Sequence, residues 1–114
     1  MTTAVRIREI DVEVAYLWLE CGIAWFIDVR EEHERSRGAI PHALFHPFST
    51  FDPSFLPYVD PVLGLPRRLV FYCQQTEPAS KAAHCWADEI GAAVAFVLQG
   101  GVEEWSKAGL PINM

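Results

Sequence analysis

The sequence lacks the features that mark a membrane, secreted or nucleic-acid-binding protein. Its longest uninterrupted apolar run, 92–98, is too short to span a bilayer, and its first ten residues hold no apolar core of signal-peptide length. Its three cysteines are an odd number without a CxxC pair, which argues against a disulfide framework and a zinc knot. With 9 basic and 15 acidic residues, its net charge of −6 disfavours phosphate backbones. We therefore expect a cytoplasmic protein with no membrane or nucleic-acid partner.

The chain has enough apolar residues for one hydrophobic core. Its 114 residues are 51% hydrophobic and 21% charged, a composition that excludes a disordered chain, a coiled coil and a collagen-like repeat. A chain of this length buries roughly two-thirds of its unfolded surface. We predict a single domain over residues 1–114.

Short apolar runs alternate with helical patterns along the chain. Strands are predicted over 5–10, 25–29, 43–45, 69–73 and 93–98. Helices are predicted after the N-cap residue Asp11 as far as Gly22, and over 31–37, 79–90 and 102–108. This alternation indicates an α/β fold in which a parallel sheet is covered on both faces.

Residues 47–66 interrupt this alternation, because they contain five of the eight prolines together with four aromatic side chains. Proline at this density prevents a long helix or a central strand. We predict a turn-rich excursion with one helical turn near Phe55. Its aromatic residues pack over the sheet, line a pocket or dock a partner.

Cys73 is the strongest candidate for a reactive group. It ends a predicted buried strand, and ligands of parallel α/β sheets bind beyond the carboxyl ends of the strands. A helix begins six residues later, at Ala79, so backbone N–H groups and the helix dipole are expected to favour a thiolate and to lower the pKa of Cys73. The alternative is that Cys73 is a small apolar core residue.

The other cysteines and the histidines give weaker signals. Cys21 and Cys85 lie within predicted helices, where we expect them to pack in the core. His42, His46 and His84 do not show the convergent spacing that a metal site requires. We predict no metal site and no cofactor.

Three groups of residues occur in the order and spacing of a known family. They are Asp28-Val29-Arg30 with the GAIPHA segment at 38–43; Tyr72-Cys73 with Ala82-Ala83; and Gly100-Gly101 with Trp105 and the GLP segment at 109–111. On these motifs the chain, from about Val5 to Ile112, resembles the single-domain rhodanese-like sulfurtransferases.

That resemblance implies a rhodanese-like α/β fold, a five-stranded parallel sheet with helices on both faces. It also implies that Cys73 accepts a sulfane sulfur as a persulfide. The donor would be a persulfide or thiosulfate, the acceptor a thiol or cyanide, and a protein sulfur carrier is a candidate partner.

The loop after Cys73 departs from the family pattern, in which Cys-x-x-Gly-x-Arg-Ser is usual. The predicted substrate-binding loop is Gln74, Gln75, Thr76, Glu77, Pro78 and Ala79, and its backbone N–H groups, except that of the proline, would hold the persulfide. Thr76 replaces the glycine, so a positive φ there would be costly. Pro78 replaces the arginine and removes a donor. Glu77 adds a negative charge that would repel thiosulfate.

Three charged residues are predicted to support the loop. Asp28 and Arg30 end a buried strand, where the resemblance places them beside the site; the alternative is a structural ion pair, for instance Arg30 with Glu31 or Glu34. Lys81, in the first turn of the following helix, either reaches into the loop or faces solvent.

The sequence therefore predicts a sulfurtransferase that acts through Cys73 and is poor with thiosulfate. The alternative is a rhodanese-fold binding or regulatory module with little turnover. Phosphatases of this fold need an arginine after a five-residue spacer from the cysteine; Ala79 stands there, which disfavours phosphoester hydrolysis.

Overall fold

A computed structural model describes residues 6–36, 38–52, 68–90 and 94–113. In these ranges five strands form one sheet in the order β1-β5-β4-β2-β3, with every neighbouring pair parallel. The strands are β1 Arg6–Ile10, β2 Ala24–Asp28, β3 Leu44–Phe45, β4 Arg68–Tyr72 and β5 Val94–Leu98. The helices are α1 Val12–Cys21, α2 Glu77–Ile90 and α3 Gly101–Lys107, with short 3-10 helices at Glu32–Arg35 and Phe48–Thr50.

Helices cover both faces of the sheet, as predicted. Side chains alternate along the strands, so Ile27 and Phe71 face α2 whereas Phe26 and Val70 face α1 and α3. The apolar stripe of α2 is mostly alanine, which lets the helix lie close to the sheet. Its buried residues are Ala79, Ala82, Ala83, Trp86 and Ala87.

Aromatic side chains fill the other face. Trp105 of α3 is fully buried, contacts Tyr16 and Phe26 edge-on at ring-centroid distances of 5.9 and 6.0 Å, and donates its indole N–H to the Pro111 carbonyl at 2.8 Å. Trp18 is partly buried on the same face. The expected core packing of Trp105, Trp86 and Trp18 is confirmed.

Cys21 and Cys85 are both exposed, so the prediction that they pack in the core is wrong. Both lie on helices that bury only one side against the sheet, and the cysteines fall on the other side. Among the described residues, no helix is both long enough and apolar enough to cross a membrane.

Element boundaries near the candidate site differ slightly from those predicted. Because β4 ends at Tyr72, Cys73 is the first residue of the following loop. Helix α2 begins at Glu77, so Pro78 is its second residue. The predicted helix over 31–37 is a 3-10 helix, Glu32–Arg35. Val5, Arg37, the predicted turn near Phe55 and the predicted strand start at residue 93 lie outside the described residues.

Candidate active site

A cavity of about 300 Å³ opens at the carboxyl ends of β2 and β4. Its walls come from the segments that follow these two strands, from Phe48 and from the start of α2. The lining residues are Val29, Arg30, Glu31, Glu34, Phe48, Cys73, Gln74, Gln75 and Pro78. The predicted nucleophile and half of its predicted loop thus border one cavity, and one aromatic residue of the 47–66 segment helps to wall it.

The Cys73 side chain is only 2% exposed, and two opposing influences act on its sulfur. Burial raises the pKa of Cys73, and the charges of Glu34 and Asp28 raise it further, whereas backbone N–H groups of Ala79 and Gln75 lower it. The net shift is upward, so the predicted fall in the pKa of Cys73 is wrong. The thiol packs among apolar neighbours such as Ala79, and this desolvation outweighs the two N–H donors.

Backbone hydrogen bonds from helix α3 fix the orientation of the loop after Cys73. The N–H of Val102 donates to the Cys73 carbonyl at 3.0 Å, and that of Glu103 donates to the Gln74 carbonyl at 3.2 Å. In a trans peptide the carbonyl and the next N–H point in opposite directions. With its carbonyl anchored on α3, the Gln74–Gln75 peptide directs the Gln75 N–H away from α3, toward the Cys73 sulfur.

Thr76, which stands where the family usually has glycine, does not adopt the positive φ that would be costly for it. Among the described residues the one non-glycine with positive φ is His42. The Thr76 Oγ1 accepts a hydrogen bond from the Gly100 N–H at 3.1 Å, and its carbonyl accepts one from the Ser80 N–H at 3.1 Å. The threonine therefore links the loop to the β5–α3 turn and to the first turn of α2.

Asp28 and Arg30 form a buried ion pair at the end of β2. Arg30 Nη2 lies 2.8 Å from Asp28 Oδ2, and Arg30 Nε lies 3.1 Å from Oδ1. The Tyr72 hydroxyl donates to Asp28 Oδ2 at 2.8 Å and accepts from the Ile40 N–H at 3.2 Å. Arg30 Nη2 also donates to the Gly38 carbonyl at 2.8 Å. The network joins β2, β4 and the segment before β3.

The ion pair is structural, but its partner differs from those proposed from the sequence. Arg30 pairs with Asp28 and touches Glu34 only through the backbone carbonyl, at 3.1 Å. Burial lowers the pKa of Arg30, but Asp28 and Tyr72 together raise it by more, so the net shift of the pKa is upward and the guanidinium stays charged. Arg30 borders the cavity and is paired with Asp28, whose Oδ2 also lies 3.5 Å from Arg35 Nε.

Lys81 and Glu77 lie outside the cavity and pair with each other at 3.4 Å. Their side chains are 63% and 81% exposed. Lys81 therefore faces solvent, one of the two predicted alternatives, and the prediction that Glu77 charges the anion-binding loop is wrong. A surface pair one helical turn apart contributes little to stability.

The carboxylates that do border the cavity are Glu31 and Glu34, and sequence reasoning missed their role. The Glu34 Oε1 accepts the Glu31 N–H at 3.0 Å, which keeps both residues on the cavity wall. The one available signal was their position directly after the Asp28-to-Arg30 motif, at the carboxyl end of a buried strand.

The histidines occupy separate places. His42 and His84 are exposed, and His46 packs edge-on to Phe51 with ring centroids 6.4 Å apart. In the part of the chain that the structure describes, no three His, Cys, Asp or Glu side chains group in a way that would hold a metal ion.

We expect Cys73 to react slowly with iodoacetamide at neutral pH. Because burial raises the pKa of Cys73, its thiolate forms at higher pH than that of a model thiol. The alkylation rate of Cys73 should therefore still increase with pH in the range where the rate of glutathione no longer changes. Peptide mass spectrometry across a pH series measures this rate, with the exposed Cys85 as the accessible control. A midpoint at or below that of glutathione would contradict the predicted shift.

Comparisons with solved structures identify proteins of the same fold. One is a Rhodopseudomonas palustris protein of unknown function, described as a possible tyrosine phosphatase: 26% identity, TM-score 0.75, covering 94% of this chain and 85% of that one. A rhodanese-related protein from Thermoplasma volcanium has 20% identity and a TM-score of 0.74, covering 93% and 97%. A thiosulfate sulfurtransferase from Pseudomonas aeruginosa has 27% identity and a TM-score of 0.72, covering 96% of this chain and 20% of that one.

No functionally curated protein matches the chain in sequence. The family model of the rhodanese-like domain matches residues 11–108, which include every element from α1 to α3 and the whole loop after Cys73. Together with the parallel sheet and its helices on both faces, this match shows that the chain belongs to the rhodanese-like domain family.

Proposed function

We propose that the protein is a sulfurtransferase that carries a sulfane sulfur on Cys73. The observation that supports this most directly is the position of the thiol: it borders a cavity at the carboxyl edge of the sheet, and the backbone N–H groups of Gln75 and Ala79 face its sulfur. These donors are suited to hold the negative charge of a persulfide without any side-chain cation.

The proposed reaction balances without an oxidant or a metal. The Cys73 thiolate attacks the outer sulfur of a hydropersulfide R–S–S–H, the S–S bond of the donor breaks, and its electron pair leaves on R–S⁻. The proton stays on the new Cys73 persulfide or passes to the leaving thiolate. An acceptor thiolate or cyanide then attacks the outer sulfur, and Cys73 departs as a thiolate.

The charges at the cavity favour a persulfide donor over thiosulfate. Thiosulfate carries two negative charges, and Arg30, the one cationic side chain that borders the cavity among the described residues, is already paired with Asp28. The family generally uses sulfur donors and acceptors, and a structural neighbour is named a thiosulfate sulfurtransferase. We propose the same chemistry here with a different donor, either a small hydropersulfide or a protein sulfur carrier.

Another structural neighbour is described as a possible tyrosine phosphatase. We do not extend that activity to this chain, because Ala79 is buried against the sheet where those enzymes need an arginine. A methyl group cannot bind the equatorial oxygens of a phosphoryl group.

One observation favours the alternative, a binding or regulatory module with little turnover. Cys73 is almost fully buried and its pKa is raised, both of which reduce the thiolate available at neutral pH. Slow alkylation of Cys73 is compatible with both functions. A sulfur donor that enters the cavity displaces water and contacts the Cys73 thiol directly. Sulfur loading separates the two functions.

Sulfur loading should depend on Cys73 alone. After incubation with 2-hydroxyethyl hydropersulfide, a donor without a charged group apart from its sulfur, intact-mass analysis should show the wild-type protein gaining one sulfur atom, which cyanide or a thiol then removes. The Cys73→Ala variant should gain none, whereas Cys85→Ala, which removes an exposed thiol, should load like the wild type. If the wild type gains no sulfur from any donor, the module is the better description; equal loading of Cys73→Ala would overturn the role of Cys73.

A further inference from the structure

The groups at and next to the cavity beside Cys73 carry one more negative charge than positive. The three carboxylates are those of Glu31, Glu34 and Asp28; the two guanidiniums are those of Arg30 and of Arg35, whose Nε lies 3.5 Å from Asp28 Oδ2. Glu31 and Glu34 border the cavity, and the remaining lining is neutral apart from Arg30, whose guanidinium is bound to Asp28 at 2.8 Å. Lys81, the cation nearest in sequence to the loop, pairs with Glu77 on the outside of α2. Among the described residues, no other cationic side chain lines this cavity.

Hydrogen bonds hold Glu31 and Glu34 at the wall of the cavity. The Ser49 hydroxyl and N–H donate to the two oxygens of Glu31, which lowers the pKa of Glu31 and keeps it ionised. Glu34 accepts the Glu31 N–H, and its charge raises the pKa of Cys73, which places it within electrostatic range of the sulfur. The two anions thus belong to the reaction cavity itself.

From these contacts we infer that the cavity selects small thiols and hydropersulfides that carry an ammonium group a few bonds from the sulfur. This inference rests on the proposed sulfur transfer at Cys73 and names its substrate class. The sulfur end meets the N–H donors of Gln75 and Ala79, and the ammonium end meets Glu31 and Glu34. A cavity of about 300 Å³ accepts a molecule of this size. A carboxylate or sulfonate in the ammonium position would be repelled.

The first test probes charge without requiring sulfur transfer. Cys73 is treated with ethyl methanethiosulfonates that end in a trimethylammonium, a hydroxyl or a sulfonate group; the thiolate forms a mixed disulfide and methanesulfinate leaves. The exposed Cys21 and Cys85 are changed to serine so that one thiol reports. For each thiol, the rate with the trimethylammonium reagent is divided by the rate with the sulfonate reagent. We expect this ratio to be about tenfold larger for Cys73 than for free 2-mercaptoethanol, because a single ion pair at a partly screened site changes an equilibrium by about tenfold.

Glu34→Gln is the decisive variant, and Glu32→Gln is its matched control. A glutamine at position 34 can still accept the Glu31 N–H, so the wall keeps its shape and loses one charge. Glu32 lies on the same 3-10 helix and is exposed like Glu34, but it does not border the cavity. The rate ratio should fall several-fold in Glu34→Gln and stay unchanged in Glu32→Gln. An equal ratio in the wild type and Glu34→Gln, or a ratio that favours the anion, would overturn the inference.

The second test uses sulfur transfer itself. The Cys73 persulfide is discharged with cysteamine, 2-mercaptoethanol or 3-mercaptopropionate, and each rate in Glu34→Gln is divided by the wild-type rate, so that intrinsic thiol reactivity cancels. We expect a several-fold loss with cysteamine, no change with 2-mercaptoethanol and a gain with 3-mercaptopropionate; three equal quotients would contradict the substrate class. If Cys73 does not load but the first test shows charge selection, the proposed function fails and the selectivity of the cavity stands.

Discussion

Asp28→Asn should lower the free energy of unfolding by about 3–5 kcal/mol, the usual cost of removing one partner from a buried ion pair. Asp28 is fully buried and accepts hydrogen bonds from Arg30 and from the Tyr72 hydroxyl. An asparagine keeps the size of the side chain but leaves the Arg30 guanidinium, which is 2% exposed, without a counter-ion. Urea denaturation followed by tryptophan fluorescence measures the loss.

Two further variants show whether the charge is responsible. Asp11→Asn alters an exposed N-cap that accepts the Val14 N–H at 2.8 Å, and because Asn and Asp cap helices equally well, its effect should stay within a few tenths of a kcal/mol. Tyr72→Phe removes one hydroxyl and leaves the Ile40 N–H without its partner, at about 1–3 kcal/mol. If Asp28→Asn costs no more than Asp11→Asn, the buried pair does not stabilise the fold.

Gly101→Ala should both destabilise the protein and reduce sulfur loading at Cys73. Gly101 has φ +60°, and a Cβ there would overlap the carbonyl oxygens of Cys73 and Gln75. These are backbone atoms of the loop after Cys73, which cannot move without shifting the peptides whose N–H groups face the Cys73 sulfur. A left-handed non-glycine residue costs about 1–2 kcal/mol, and forcing atoms into a packed contact adds about 1–3 kcal/mol.

Gly22→Ala is the matched control for that prediction. Gly22 also has a positive φ, +67°, but a Cβ there meets nothing within 4 Å, so only the backbone cost applies. Urea denaturation should therefore show a smaller loss for Gly22→Ala than for Gly101→Ala, and the Gly22 variant should load sulfur normally. Equal losses for the two variants would mean that the contact of α3 with the loop is not tight.

Most of the fold could be predicted from the sequence, because the sequence signals that specify its helices and strands are local. Asp11 caps α1 and Gly22 ends it with φ 67°, as the residue types predict. Continuous apolar runs marked strands that are buried on both faces, and Trp86 and Trp105 fell on the buried sides of their helices. The type and length of the 3-10 helix at Glu32–Arg35 were harder to predict, since they depend on how the chain leaves β2.

Only the general position of the candidate site could be predicted from the sequence. A nucleophilic cysteine at a strand end could be named in advance, but the opposing effects of burial and of two N–H groups on its pKa depend on packing. The acidic residues that border the cavity were predicted incorrectly for the same reason. Glu77 is close to Cys73 in sequence yet points outward to Lys81, whereas Glu34, which is distant in sequence, borders the cavity.

The sequence by itself determined the strand and helix order, the family motifs and the identity of Cys73 as the candidate nucleophile, because periodicity, capping and motif spacing act over a few residues. Only the tertiary structure decided that Asp28, rather than Glu31 or Glu34, pairs with Arg30, and that two glutamates rather than a lysine border the cavity beside Cys73. Electrostatic interactions depend on distance in space and on burial, and the packing of β2 beside β4 brings these groups together.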